Sequence, residues 1–249
     1  MPTLILTPRH TEDAQALWKA ASRLGWNIER LNGWRVPAHL KPSDDLVLYV
    51  EALFGPTIAE QLGLNLLSPP EDWLVRLPIE YKLRQIELMT LAMARHIETA
   101  AFIKPPNDKS FPAAIYKGSE LPTEYDDNMP VLVSDIVAWN LEFRCFVLNR
   151  SLVTYSIYAR NGEPQSRTEF QSVPDEDRGL ESFVATLVSD PRVDLPTATV
   201  IDVGYIDGAG WACVEQNAAW GAGIYGCDPA LALEVIRHAS LKTPSLTEA

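Results

Sequence analysis

The stretch Val200-Ile-Asp-Val-Gly-Tyr-Ile-Asp-Gly-Ala-Gly-Trp-Ala-Cys-Val-Glu-Gln-Asn217 constrains the fold more than any other. Asp207-Gly208-Ala209-Gly210 supplies residues that tolerate positive φ, so the stretch reads as two antiparallel strands joined by a tight turn. With those four residues as the loop, Ile206 faces Trp211 and Asp202 faces Glu215. Side chains alternate along a strand, so Asp202, Glu215 and Asn217 share one face. Ile201, Val203, Tyr205, Ala212 and Val214 then take the other, core-forming face. Two carboxylates directly opposite each other, about 5 Å apart at Cβ, repel unless a cation lies between them. Three oxygen-bearing side chains on one face suit a Mg²⁺ ion shared with phosphate groups. The competing reading is a solvated polar face on an antiparallel sheet.

The 249 residues, 47% of them hydrophobic, suffice for one large domain or two smaller ones with a real core. With 33 acidic against 21 basic residues the net charge is −12, which argues against broad binding to nucleic acid or anionic membrane but leaves room for a local basic pocket. Cys145, Cys213 and Cys227 lack CxxC spacing and read as reduced thiols of a cytoplasmic protein. His10, His39, His96 and His238 are scattered, without zinc-ligand spacing. No apolar run reaches membrane-spanning length, and the start of the chain lacks the features of a signal peptide. The expectation is a soluble protein with no nucleic-acid or membrane partner, with a homo-oligomer left open.

Thr3 to Thr7 reads as a buried strand, Thr11 to Leu24 as an amphipathic helix ended by Gly25, and Asn27 to Leu31 and Asp45 to Val50 as further strands. This alternation predicts a small α/β layer over residues 1–75, bounded by the prolines of Leu67-Ser-Pro-Pro-Glu-Asp72. The layer contains no glycine-rich phosphate loop. Ile79 to Glu98 reads as a helix begun at Pro78, with Arg76, Lys82, Arg84 and Arg95 mostly on a solvated face. From Ala101 the texture turns to strands, at 101–105, 112–117, 130–137, 140–148 and 151–158, followed by a helix over 175–187. Asp228-Pro229 caps a last helix to about Ala239. The second unit spans 76–240, and 241–249 reads as a frayed tail.

A cation embedded in an apolar strand is costly without a partner, which singles out Lys104, Arg144 and Arg160. If Asn149-Arg150-Ser151 is a three-residue loop, Arg144 opposes Ser156, Glu142 opposes Tyr158, and Arg160 extends the same polar strip. A two-residue loop would set Arg144 opposite Tyr155 and break the strip. Surface salt bridges to Glu142 are the plain alternative for these arginines. Taken together, these cations and the carboxylate–carboxylate–amide face describe a triphosphate–metal site. Trp139, Trp211 and Trp220 flank it in sequence and more often fill core than stack on a ligand.

The order of these pieces resembles the ATP-grasp superfamily, closest to its clade named for two arginines and a lysine. The resemblance runs through Phe102-Ile-Lys-Pro-Pro-Asn-Asp-Lys-Ser-Phe111, Val133-Ser-Asp-Ile-Val-Ala-Trp139, Glu142-Phe-Arg-Cys-Phe146, Asp202-Val-Gly204, Glu215-Gln-Asn217 and the glycine-containing run to Gly226. It implies an α+β, two-lobed nucleotide-binding fold preceded by the small α/β layer, with ATP between the lobes. By the same resemblance Lys104 contacts phosphates, Ser134, Asp135, Ile136 and Val137 form the hinge that reads adenine, and Glu142 accepts from ribose. Arg144 and Arg160 would neutralise the transferring phosphoryl group, and Asp202, Glu215 and Asn217 would hold Mg²⁺. The implied activity is ligation: ATP activates a small-molecule or peptide carboxylate as an acyl phosphate, which an amine or similar nucleophile attacks. A nucleotide-binding module without turnover and a phosphoryl transferase to a hydroxyl are the alternatives. One departure is the loop over the phosphates, where Pro105, Pro106 and Pro112 replace the glycines usual in the superfamily. Lys109 and Ser110 are then phosphate-contact candidates, with Lys109 or Lys117 as the second lysine.

Overall fold

The computed structural model describes residues 1–41, 45–107, 109–166 and 170–243. Strand β1 (Thr3–Leu6), helix α1 (Glu12–Arg23) and strands β2 (Asn27–Arg30) and β3 (Leu46–Tyr49) form a parallel sheet in the order β2-β1-β3 with the helix against it. Thr11 caps α1, its Oγ1 accepting from Ala14 N at 3.0 Å, and Gly25 takes the positive φ of 73° that turns the chain into β2. Helix α2 (Gly55–Gln61) and strand β4 (Leu64–Leu66) complete the layer. Its core is shared with the far end of the chain. Leu4, Leu17, Val47 and Ile58 pack in one cluster with Trp220 and with Leu233 and Ile236 of the last helix, α7 (Pro229–Arg237). At Gly55 an added Cβ would lie 2.4 Å from the Trp220 ring, so that contact needs glycine. As its sequence predicts, α7 is capped by Asp228, whose Oδ1 accepts from Ala230 N and Leu231 N.

Two expectations fail near here. Part of the anticipated frayed tail is strand β14 (Ser240–Lys242), paired antiparallel with β4; residues 244–249 lie outside the described residues. The helix expected over 79–98 is three short pieces, α4 (Ile79–Lys82), β5 (Ile86–Thr90) and α5 (Leu91–Ala94), preceded by α3 (Trp73–Arg76). The helix stops because Leu83 adopts left-handed φ of 49°. The chain then supplies an edge strand, where the sheet offers backbone partners and two separate apolar clusters take Leu88 and Met89. Tertiary pairing thus overrides a helical apolar spacing.

Strands β6 (Ala101–Lys104), β7 (Ala114–Tyr116) and β8 (Pro130–Ser134) join β5 in an antiparallel sheet ordered β5-β8-β6-β7. A second antiparallel sheet, ordered β11-β10-β9-β12-β13, is built from β9 (Trp139–Leu148), β10 (Ser151–Arg160), β11 (Glu163–Pro164), β12 (Ala198–Ile206) and β13 (Gly210–Asn217). Helix α6 (Pro174–Ser189) covers one face of it, burying Leu180, Val184 and Leu187 against Phe143, Ile157, Ile201, Val203 and Cys213. The other face looks toward the first sheet at one end and toward the N-terminal layer, through Phe146 and Val200, at the other.

Register in this sheet is set by bulges. Asp202 does pair with Glu215, but the loop is three residues long, with Ile206 opposite Gly210 and Tyr205 opposite Trp211. An extra residue, Val214, restores the Asp202–Glu215 match. The faces are corrected accordingly: Trp211 and Cys213 pack in the core beneath the sheet, while Val214 lines the cleft. The β9–β10 hairpin repeats the device. Its loop is the two residues Asn149 and Arg150, at φ of 49° and 59°, and a bulge at Val153 brings Arg144 opposite Ser156 after all. A second bulge at Tyr158 then sets Glu142 opposite Ala159 and Arg160 opposite Leu141, which ends the anticipated strip before Arg160.

Candidate functional site

One row of residues crosses four strands at the same level: Ser156 on β10, Arg144 on β9, Asp202 on β12 and Glu215 on β13. Arg144 is buried and grips Asp202 through two parallel bonds, Nε to Oδ1 at 2.9 Å and Nη2 to Oδ2 at 2.6 Å. Its third edge donates to Gly223 O at 2.9 Å, and its guanidinium lies 4.4 Å from the Tyr225 ring. Burial alone would lower the pKa of Arg144; the charge of Asp202 and the bonds to it outweigh burial and raise it, so the guanidinium stays protonated. The repulsion expected between Asp202 and Glu215 is met from both flanks. Arg144 neutralises one, Lys104 of the opposite sheet forms an ion pair with the other, and Asn217 Nδ2 donates to Asp202 Oδ2 at 3.3 Å and Glu215 Oε1 at 3.0 Å. Burial raises the pKa of Glu215, but the charge of Lys104 and its hydrogen bond more than reverse this and bring it down to about 2.

Between the two sheets lies a cleft of about 570 Å³. Lys104, Ser134, Asp135, Ile136, Val137, Glu142 and Glu215, all anticipated, line it. Leaving β8, the segment expected to form the hinge is tied by Asp135 N to Gln85 O at 3.1 Å and Gln85 N to Asp135 Oδ2 at 2.8 Å. Among the described residues, neither Ile136 nor Val137 has its backbone engaged in a hydrogen bond, which leaves polar edges at an apolar cleft wall. Glu142 accepts from the Tyr158 hydroxyl at 2.9 Å, yet burial keeps its pKa raised.

Other anticipated residues lie elsewhere. Arg160 is on the α6 side of the sheet, where both guanidinium ends bind Glu176, at 2.5 and 2.6 Å; the bulge at Tyr158 turned it there. Lys109 and Lys117 are exposed and, with Ser110, stand outside the cleft lining; the Ser110 carbonyl accepts from Tyr125. Asp108 of the same loop lies outside the described residues.

Two residues were missed, or given the wrong surroundings. Arg84, expected at a solvated helix face, is buried at the cleft, donating to the carbonyls of Lys82 at 2.9 Å, Cys213 at 2.8 Å and Val214 at 3.3 Å. Desolvation lowers its pKa to about 10. Its guanidinium caps the Trp139 ring at 5.0 Å, so this tryptophan, unlike the core residues Trp211 and Trp220, is a cleft wall. Gly204 makes room for it, since a Cβ there would fall 2.4 Å from the indole. The rule that singled out Lys104, an isolated cation among apolar residues, applies equally to Tyr81-Lys-Leu-Arg-Gln-Ile86; the mistaken helix hid it. Replacing Arg84 by methionine leaves these carbonyls short of a charged donor and should lower stability by about 1–3 kcal/mol, as read by urea denaturation. An unchanged midpoint would show that water replaces the guanidinium without cost.

Two antiparallel sheets closing on a cleft, with a lysine from one meeting a carboxylate of the other beside a buried arginine–aspartate pair, define a two-lobed nucleotide-binding fold of the ATP-grasp type. Residues 81–235 match the ATP-grasp domain described as the second family of the clade named for two arginines and a lysine, and the chain belongs to that family. Similar solved structures include a RimK domain protein ATP-grasp from Sphaerobacter thermophilus, at 15% identity over 95% of this chain and 99% of that one, with a TM-score of 0.57. The D-cycloserine synthetase DcsG is 12% identical over 95% and 99%, with a TM-score of 0.62. A D-alanine–D-alanine ligase from Bacillus anthracis is 11% identical over 96% and 97%, with a TM-score of 0.57. At such identities the likeness is one of fold. Comparison with curated proteins gives no match. Among the described residues no helix is long and apolar enough to cross a membrane.

Proposed function

We propose that the chain is an ATP-dependent ligase that activates a carboxylate as an acyl phosphate and passes the acyl group to an amine or similar nucleophile. The observation that carries this reading is the meeting of Lys104 and Glu215 across the cleft, beside the Arg144–Asp202 pair. Adenine fits the apolar end, between Phe102, Ile115 and Leu132, with the open backbone edges of Ile136 and Val137 beside it. Glu142 is positioned to accept from ribose hydroxyls. Lys104 is the phosphate cation, and its pairing with Glu215 holds two opposite charges in place until a nucleotide takes up the lysine.

Asp202, Glu215 and Asn217 supply two carboxylates and an amide, the hard oxygen donors that Mg²⁺ prefers. Among the described residues no group of three His, Cys, Asp or Glu is arranged to hold a metal by itself. The set fits an ion whose remaining ligands are phosphate oxygens and water, and the metal's contribution when bound is to neutralise those oxygens. Arg144, fixed by Asp202 and Gly223, adds positive charge that needs no reorganisation during the reaction. In that reaction a carboxylate oxygen takes the γ-phosphoryl group and ADP departs. Attack of the amine nitrogen on the acyl carbon then releases phosphate and a proton. No protein nucleophile is required. The named relatives, a D-cycloserine synthetase and a D-alanine–D-alanine ligase, make small molecules the first substrates to try.

The test is to incubate the protein with Mg²⁺, ATP and pools of amino acids, small carboxylates and peptides, following ADP, AMP and new products by mass. Release of ADP and phosphate that depends on a carboxylate is expected. AMP formation, or ATP binding without turnover across the pools, would count against ligation through an acyl phosphate.

A further inference from the structure

A second cavity, of about 290 Å³, opens on the N-terminal layer, at the small end of the size range of ligand pockets. It is lined by the loop after β1, the start of α1, the end of β3 and the glycine-containing loop after β13, through Asp13, Tyr49, Glu51, Gly221 and Tyr225, with Arg9 exposed among the lining residues. A thin wall divides it from the nucleotide cleft. Tyr158 lines the cleft, Tyr225 lines the second cavity, and their rings stack at 5.3 Å and 27°. The Arg144 guanidinium lies against both rings, at 5.8 and 4.4 Å.

The chemistry of this cavity is set by two carboxylates, one of which has a buried oxygen without a donor among the described residues. Glu51 Oε2 is buried and, among the described residues, has no hydrogen-bond partner. The Asp13 carboxylate accepts from the backbone N–H groups of Ile224, at 3.2 Å to Oδ2, and Tyr225, and a Cβ on Gly223 would lie 2.8 Å from Oδ2, so glycine lets the loop close over it. The neighbouring Arg144 already donates from Nε and Nη2 to Asp202 and from Nη1 to Gly223. Two carboxylates lining one cavity, one of them with an orphaned buried oxygen, suit a cationic group with several donor hydrogens. An ammonium group has three such hydrogens and no acceptor.

We infer that this cavity binds a primary ammonium group on a molecule of amino-acid size, with Glu51 and Asp13 as its acceptors. The inference deepens the ligase reading, on which it rests for one point: the molecule held here is the second substrate, delivered beside Arg144. Arg9 among the lining residues favours a carboxylate on the same molecule, and hence an amino acid over a simple amine.

Calorimetry with the full chain in saturating Mg²⁺–ADP tests it, using alanine, β-alanine and 1,4-diaminobutane against their hydroxyl counterparts lactate, 3-hydroxypropionate and 1,4-butanediol. At least one amine should bind tenfold or more tighter than its hydroxyl partner, and Glu51→Gln should erase that preference while Mg²⁺–ADP affinity stays within twofold. Asp13→Asn is a second variant, with the Ile224 contact retained by its amide oxygen. Equal binding of amines and alcohols, or a preference untouched in both variants, overturns the inference with the nucleotide reading intact. Failure of the unmodified protein to bind Mg²⁺–ADP would instead overturn the nucleotide site on which the ligase reading stands.

Discussion

Replacing Arg144 by methionine is expected to lower the unfolding free energy by about 3–5 kcal/mol, because it strands Asp202 as an unpaired charge in the protein interior. Asp202 is 1% exposed and Arg144 6%, so water cannot take over the missing bonds without opening the sheet. The loss does not require the pair to be net stabilising: desolvating two ions offsets much of their attraction, and the cost arises from breaking one side only. A double variant, Arg144→Met with Asp202→Leu, should therefore recover most of the stability in urea denaturation while remaining inactive with ATP. A single variant as stable as the parent would show that Asp202 is protonated in the fold, and the electrostatic account of the site would have to change.

Glu215→Gln carries the second large effect. If Glu215 belongs to the proposed phosphate–metal site, losing its carboxylate should reduce turnover by roughly 10²–10³-fold, comparable with removal of a single well-placed stabilising group elsewhere. The same variant has a pH signature. The pKa of Glu215 is about 2 in the fold, against about 4.3 in an unfolded chain, so its contribution to stability is fully present above the unfolded value and is lost as pH falls toward 2. Parent and variant should accordingly differ in unfolding midpoint above pH 5 and converge as the buffer is taken below pH 4. Curves that run parallel from pH 7 to pH 3 would mean that Lys104 does not hold the carboxylate ionised. Full activity in Glu215→Gln would remove this residue from the metal set.

The residues that carry charge into apolar strands were legible because burying an ion without a partner is too costly to be incidental. Lys104, Arg144 and Arg160 were found in this way, and Asp202 and Glu215 from the alternation of the hairpin; Lys104 proved to pair with Glu215, Arg144 with Asp202, and Arg160 with Glu176 outside the set. What failed was geometry that depends on counting residues along a strand. Both hairpins have loops one residue shorter than expected, and each is returned to the anticipated pairing by a bulge, at Val214 and Val153. The same device at Tyr158 sends Arg160 to Glu176 on the far face. A bulge costs little locally and reverses every side chain beyond it, so sequence alternation cannot locate one. Arg84 was lost for a related reason: an apolar spacing that suits a helix was satisfied instead by an edge strand placed between two clusters.

The kind of protein is written in the residue order alone: the hairpin around Asp207-Gly208, the capped last helix, and a set of cations and carboxylates too costly to bury unless they meet. Local propensity, turn chemistry and the penalty of desolvation act over a few residues and can be read there. Which charges meet is settled at longer range. The Lys104–Glu215 pair joins two sheets, the Arg144–Asp202 pair depends on strands β9 and β12 being neighbours, and the second cavity is built from both ends of the chain. These contacts follow from strand order, bulge placement and a core shared between residues 4 and 239, and so from the balance of the whole fold.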